Sequence, residues 1–222
     1  NTGLYGARKN LFLPRYAHTE SASQLAARWI SEVREGIEGT TCRPGFIKCG
    51  VDPEPDLSAI HRKLVEAAAE THRATGLSIA IHTGRGPGLQ ILEILASQGV
   101  AASAFLWVHA QGASDDALFA AADQGAWLSI DGLNTHTLTR HLHLCRELKK
   151  RGQLNRVLLS HDAGWYDPAK SNGGTFRPFT LLFDSFLPLL RAEGFTPDEI
   201  ETLLIKNPAL AYGQRTRLIP GF

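Results

Sequence analysis

Short apolar runs alternate along this chain with longer stretches in which apolar residues recur every three or four positions. The short runs are GFIKCG at 45–50, LSIAIHTG at 77–84, AFLWVHA at 104–110, AWLSIDG at 126–132 and RVLLSHD at 156–162. Because their apolar residues are nearly continuous, these runs are typical of parallel strands that helices cover on the outside. The stretch NTGLYG at 1–6 is expected to be the exit of an earlier strand.

The stretches between these runs have the periodicity of amphipathic helices. In residues 22–37 the apolar positions are Ala22, Leu25, Trp29, Val33 and Ile37, and a similar stripe runs through 57–75. Asp56 and Ser114 are the predicted N-caps of two helices, and residues 196–199 (TPDE) form a predicted capping box. No linker divides the chain, so the alternation predicts a single α/β domain over residues 1–222 with a parallel sheet.

An ionisable side chain lies near the carboxyl end of every predicted strand. These residues are Lys48, His82, His109, Asp131 and Asp162. Packing of a buried strand gives no reason for this pattern, whereas the carboxyl ends of the strands in a parallel barrel converge on one mouth. Imidazole and carboxylate groups are ligands of zinc, and also of Mn, Co or Fe. A single His or Asp at such a position is usually structural, so the prediction of a metal site depends on the joint pattern.

Composition narrows the class of partner. The 222 residues carry a formal net charge of +1 without a block of Lys or Arg, which argues against nucleic acid or an anionic membrane as the main partner. No apolar run approaches the roughly 18 residues that span a bilayer. The three cysteines, Cys42, Cys49 and Cys145, lack CxxC spacing and are expected to be reduced, buried thiols of a cytoplasmic protein.

Seven stretches together resemble the phosphotriesterase family of the amidohydrolase superfamily. They are NTGLYG, GIEGTTCRPGFIKCG, ATGLSIAIHTGRG, WVHAQGASD, GAWLSIDGLN, LLSHDAGW and NPALAYG, in the family's order. The resemblance implies a (β/α)8 barrel of the TIM type. The family's His-x-His pair on its first strand is absent, and about six strands are predicted where the barrel needs eight. We therefore expect the chain to lack the first two β/α units.

The resemblance also implies a centre of two divalent metal ions, most readily zinc. Lys48, carbamylated, would bridge the metals, His82 and His109 would bind one of them, and Asp162 the other. Metal-activated hydroxide would be the nucleophile, and Asp162 would accept its proton. The HLH sequence at 141–143 cannot replace the missing pair, because residues two apart on a helix face different directions.

The remaining predictions concern residues around the site. The candidate substrate contacts are Tyr5, Arg85, Asp131, Trp165, Tyr166 and Arg177. Arg85 lies in a glycine-rich loop, TGRGPG, which would either hold a phosphate or form a tight turn with a solvated Arg. Trp165 and Tyr166 lie in the 163–175 loop, a candidate lid, and would either line the pocket or pack that loop. His136, His141 and His143 are expected to be solvated.

These observations predict a metal-dependent hydrolase that cleaves an ester, lactone or phosphoester bond of a small molecule. The family's acidic residues after the second strand-end His are replaced here by Ala110, Gln111 and Gly112, which disfavours triesters. A lactonase acting on phosphorylated sugar lactones is the nearest alternative, with Arg85 or Arg177 holding the phosphate. A non-catalytic barrel fragment or binding protein without a complete metal centre is the alternative from another class. A homodimer is compatible with the sequence.

Overall fold

Five parallel strands form one sheet in which the order in space equals the order in the chain. The computed structural model describes residues 1–221. The strands are β1 (Ile47–Gly50), β2 (Ile79–His82), β3 (Phe105–Val108), β4 (Trp127–Ile130) and β5 (Val157–Leu159). Each strand pairs in parallel with the strands that precede and follow it in the chain. This confirms the predicted α/β class and is the arrangement of a TIM-type barrel.

Helices follow the strands and cover the outer face of the sheet. They are α1 (Arg15–Thr19), α2 (Ala22–Glu35), α3 (Ala59–Thr75), α4 (Gly88–Ser97), α5 (Asp115–Asp123), α6 (Leu138–Lys150), α7 (Leu187–Ala192), α8 (Pro197–Glu201) and α9 (Asn207–Tyr212). Single π-helical turns at Leu182–Phe186 and Thr202–Lys206 lead into α7 and α9. The capping box at Thr196 and the N-cap at Ser114 form as predicted.

The segment 1–6 lies beside β1 and runs parallel to it. Thr2 forms a parallel bridge with Ile47, and Tyr5 forms one with Gly50. This parallel pairing is what we expect of residues at the exit of an earlier strand. It places Tyr5 at the same end of the sheet as the strand-end residues.

The inner face of the sheet carries a second, smaller hydrophobic cluster, separate from the main core under the helices. Its buried members are Ala80, Leu106, Trp127, Leu158 and Ala211. Ala80 is in register with Leu106, and Leu106 with Trp127, so these side chains form one layer across neighbouring strands. This layer lies on the inner face of the sheet, below the carboxyl ends of the strands.

Three local predictions are wrong. The N-cap of α3 is Ser58, whose hydroxyl accepts the His61 N–H at 3.3 Å, and not Asp56, which lies two residues earlier. Cys42 is exposed, whereas Cys49 and Cys145 are buried as expected. His141 is fully buried on the apolar face of α6, where its Nδ1 and Nε2 each lie 2.9 Å from a backbone carbonyl oxygen.

His72 ties the carboxyl-terminal tail to α3. Its Nδ1 lies 2.8 Å from the carbonyl oxygen of Leu77, and its Nε2 accepts the Arg217 N–H at 2.9 Å. Burial lowers the pKa of His72, because the protonated ring would lose its hydration. Within residues 1–221, no helix combines the length and the apolar character that crossing a bilayer requires.

Candidate metal centre

A cavity of about 720 Å³ opens at the carboxyl ends of the strands. All the predicted strand-end residues line it, namely Lys48, His82, His109, Asp131 and Asp162. The side chains come from five successive strands or the residues just after them. Parallel pairing therefore gathers groups that are far apart in sequence around one space, as the pattern of strand ends predicts.

Lys48 lies deeper in the barrel than the other members of the site. It is in register with Ala80 of the inner layer, whereas His82 is in register with Gly50 at the end of β1. Burial lowers the pKa of the Lys48 ammonium, although the negative charges of Asp131 and Asp162 act in the opposite direction. The environment thus favours the neutral amine more than water does.

The rings of Tyr5, His82 and His109 pack against one another along the cavity wall. The ring centroids of His82 and His109 are 4.4 Å apart, and those of Tyr5 and His82 are 5.2 Å apart, both pairs edge to face. Gly50 makes room for this arrangement, because a Cβ there would lie 2.5 Å from Cδ2 of Tyr5. Burial, together with the positive charges of His109 and Lys48, lowers the pKa of His82 to about 4. His82 is therefore a neutral imidazole at neutral pH, the form that binds metal.

Asp131 is buried against His109 and receives hydrogen bonds on both carboxylate oxygens. His109 Nδ1 contacts Oδ1, and the His109 backbone N–H donates to Oδ2 at 2.9 Å. Gln111 Nε2 donates to Oδ1 at 3.1 Å, and Ser129 Oγ to Oδ2 at 2.9 Å. Burial opposes ionisation of Asp131, but the contacts with His109 and Gln111 outweigh it and lower its pKa. An ionised Asp131 holds His109 through Nδ1 and leaves Nε2 as the nitrogen available to a metal.

Asp162 lies at the cavity opening, in a left-handed backbone conformation with φ of 45°. Its backbone carbonyl accepts a hydrogen bond from Trp165 Nε1 at 3.1 Å and another from Arg177. Its carboxylate is exposed and forms no hydrogen bond with any residue in 1–221. This carboxylate is therefore available to a metal or to substrate.

The donor atoms fit a divalent metal ion. One ligating atom each from His109, Asp131 and Asp162 lies within 4.8 Å of the other two. Nitrogen and carboxylate oxygen donors at this spacing suit zinc and other first-row transition metals. Both oxygens of Asp131 already accept hydrogen bonds, which suits it to orienting His109, whereas His109 Nε2 and the Asp162 carboxylate accept none within residues 1–221.

Only some of the predicted substrate-binding residues line this cavity. Tyr5, Asp131 and Trp165 line the cavity. Arg85 and Tyr166 are exposed and do not line it, and Tyr166 packs over Gly173 instead. Arg177 borders an adjacent cavity of about 320 Å³, where it donates to the carbonyl oxygen of His161 at 2.9 Å.

Sequence reasoning missed four residues around the site. Ser129 shares a strand face with Asp131, so the two-residue period could have revealed it. Gln111 binds Asp131 through its side chain, and His141 Nε2 lies 2.9 Å from the Asp131 carbonyl oxygen. Arg8, which also lines the cavity, lies in a segment without any recognisable period.

Comparison with known proteins identifies the family. The model of the phosphotriesterase family matches residues 1–212. The chain belongs to the phosphotriesterase family. It is 30% identical over 213 residues to a phosphotriesterase homology protein of Escherichia coli, covering 94% of this chain and 71% of that protein. It is also 27% identical to an aryldialkylphosphatase of Saccharolobus solfataricus, covering 93% of this chain and 69% of the relative.

Solved structures of phosphotriesterase-family proteins share the fold. The phosphotriesterase homology protein of Escherichia coli, solved with phosphate in its active site, superposes with a TM-score of 0.83 at 29% identity, over 95% of this chain and 73% of the other. A mutant organophosphorus hydrolase from Deinococcus radiodurans gives a TM-score of 0.82 at 26% identity, over 96% and 70% of the two chains.

An N-acetyltaurine hydrolase of Rattus norvegicus is a further relative by sequence. It is 27% identical over 85% of this chain and 58% of its own length.

Proposed function

We propose that this member of the phosphotriesterase family is a metal-dependent hydrolase that cleaves an ester, lactone or phosphoester bond of a small molecule. The observation that carries the proposal is the convergence of Lys48, His82, His109 and Asp162 on one cavity. Hydrolase names among the relatives, an aryldialkylphosphatase and an N-acetyltaurine hydrolase, support the reaction class.

In this proposal His82, His109, Asp162 and the carbamate of Lys48 would hold two divalent metal ions, with zinc as the first candidate. When bound, the metals would acidify a water molecule and polarise the substrate's carbonyl or phosphoryl oxygen. The lowered pKa of Lys48 supports its modification, since only the neutral amine reacts with carbon dioxide to form a carbamate and release a proton.

The protein's own groups then have defined tasks. The free carboxylate of Asp162 would accept the proton of the attacking water at an Oδ atom. Asp131 would keep the His109 ring in one orientation through Nδ1. Tyr5 and Trp165, at the cavity rim, would contact the substrate and exclude bulk water around it.

Metal analysis together with one substitution tests the proposal. The purified chain should hold about two metal ions and should hydrolyse members of a panel of aryl esters, lactones and phosphoesters. Lys48→Ala should lose the metal and the activity together. Lys150→Ala, which removes an exposed amine paired with Glu147, is the matched control and should retain both. A metal-free chain without hydrolytic activity would instead support the non-catalytic alternative.

The alternative of a lactonase for phosphorylated sugar lactones needs a cation for the phosphate. Arg85 lies outside the cavity, and Arg177 donates to the carbonyl oxygens of His161 and Asp162. Cytoplasmic location and a homodimer remain predictions, which cell fractionation and analytical ultracentrifugation check.

A further inference from the structure

Arg8 brings to the cavity wall a positive charge that forms no ion pair within residues 1–221. Its side chain lines the cavity beside Tyr5. Among residues 1–221 its guanidinium has no hydrogen bond and no ion-pair partner. Asp52 forms no ion pair with Arg8 within residues 1–221; both of its carboxylate oxygens accept the backbone N–H of Lys9 at 3.1 Å.

The backbone around Arg8 is held in a conformation that most residues avoid. Arg8, Lys9 and Asn10 all have left-handed dihedrals, with φ of 59°, 56° and 63°. Side chains with a Cβ disfavour this region, and a run of three such residues persists only where the surroundings fix it.

Several contacts fix that turn. Asp52 accepts from Lys9, and the Asn10 N–H donates to the Gly6 carbonyl oxygen at 3.0 Å. His61 Nε2 lies 3.0 Å from the same Gly6 oxygen, beneath the turn. The strained turn therefore fixes the position of the Arg8 Cα at the rim of the cavity.

We propose that Arg8 binds a negatively charged group of the substrate, so that the substrates of this site are anionic esters, lactones or phosphoesters. The inference rests on the proposed function and deepens it. A guanidinium can donate two parallel hydrogen bonds to a carboxylate or phosphate, which fixes the position of that group as well as its charge. Arg8 thereby supplies the cation that neither Arg85 nor Arg177 provides inside the cavity.

A matched pair of substrates tests this assignment on the metal-loaded chain. Para-nitrophenyl pentanoate is neutral, and mono-para-nitrophenyl glutarate carries a terminal carboxylate in place of the terminal methyl group. We expect the wild type to have the higher kcat/KM for the glutarate ester. Arg8→Gln should lower the ratio of the two kcat/KM values about tenfold, mainly through KM for the glutarate ester. Arg8→Lys should restore part of the ratio, since it keeps the charge but not the paired donors.

Lys9→Gln is the control, since it removes a positive charge from the same strained turn at a position that does not line the cavity. It should leave the ratio unchanged. A ratio that stays within twofold of the wild type in a folded Arg8→Gln variant would overturn the inference while leaving the proposed function in place.

Sulfate binding, measured by calorimetry on the same variants, separates the two claims. Hydrolysis of neither ester, combined with sulfate binding that weakens in Arg8→Gln and not in Lys9→Gln, would overturn the proposed hydrolase while supporting an anion site at Arg8. Sulfate binding of equal strength in all variants would count against the anion site.

Discussion

Asp131→Asn tests whether the buried carboxylate organises the candidate metal centre. Asparagine has nearly the same shape but only one acceptor oxygen. In the wild type each carboxylate oxygen accepts two donors, from the side chains of His109 and Gln111 on one oxygen and from the His109 backbone and Ser129 on the other. The NH2 group of the asparagine would therefore face two donors and could not accept a hydrogen bond from either.

The expected destabilisation follows from these hydrogen bonds. Hydrogen bonds to a charged acceptor contribute about 1.5–3 kcal/mol each, and the Asp131 side chain is only 5% exposed, so water cannot replace them. Because two of the four donors would have no acceptor and their surroundings would relax in part, we expect the unfolding free energy to fall by about 3 kcal/mol. Since the His109 ring would also be without its orienting partner, zinc affinity should fall roughly 10- to 100-fold.

Urea unfolding followed by circular dichroism gives the first quantity, and competition with a chromogenic chelator gives the second. Asp116→Asn is the control, because Asp116 is exposed in the first turn of α5 and its side chain forms no ion pair within residues 1–221. Its interaction with the helix dipole contributes under about 1 kcal/mol. If Asp131→Asn unfolds within about 0.5 kcal/mol of the control and binds zinc equally well, the carboxylate does not organise the site and the reasoning is wrong.

Two further predictions concern packing and pH. Gly88→Ala should lower the unfolding free energy by about 1–3 kcal/mol in the same urea assay, because a Cβ there would lie 2.5 Å from ring atoms of buried Trp107. Gly45→Ala is the control and should be neutral, because a Cβ there would have no atom within 4 Å. Burial holds the folded-state pKa of His72 below the unfolded value of about 6.5. The unfolded chain therefore binds more protons at low pH. The stability of the fold should fall as the pH drops below about 6.5, by at most about 1.4 kcal/mol per pH unit for this residue. His72→Gln should make that slope shallower, and an unchanged slope would show that His72 does not contribute to it.

The sequence predicts the sheet well because its strands are buried on both faces. Their apolar runs are continuous, and each of the five contains the observed strand. The strand-end residues follow from the same pattern, since parallel pairing brings Lys48, His82 and Asp162 to one end of the sheet.

The partners around those residues are harder to predict, because long-range packing selects them. The helical period places His141 on the same face of α6 as the buried Leu144 and Cys145, but it does not indicate that the Asp131 carbonyl group is its partner. Arg8 reaches the cavity through a left-handed turn that depends on Asp52, which is 43 positions from Lys9 in the sequence. The N-cap of α3 is similarly hard to predict, because Asp56 and Ser58 both have good N-cap propensity and the structure uses Ser58.

The agreement between strand order in space and in the chain bears on how the protein is built during translation. Each new strand can dock onto the one synthesised just before it, so the sheet can grow in step with the ribosome. Asp162 follows the last of the five strands and is therefore the last of the strand-end groups to leave the exit tunnel. Under the proposed function, the five-stranded sheet would therefore already have been synthesised when the last of the proposed metal ligands becomes available.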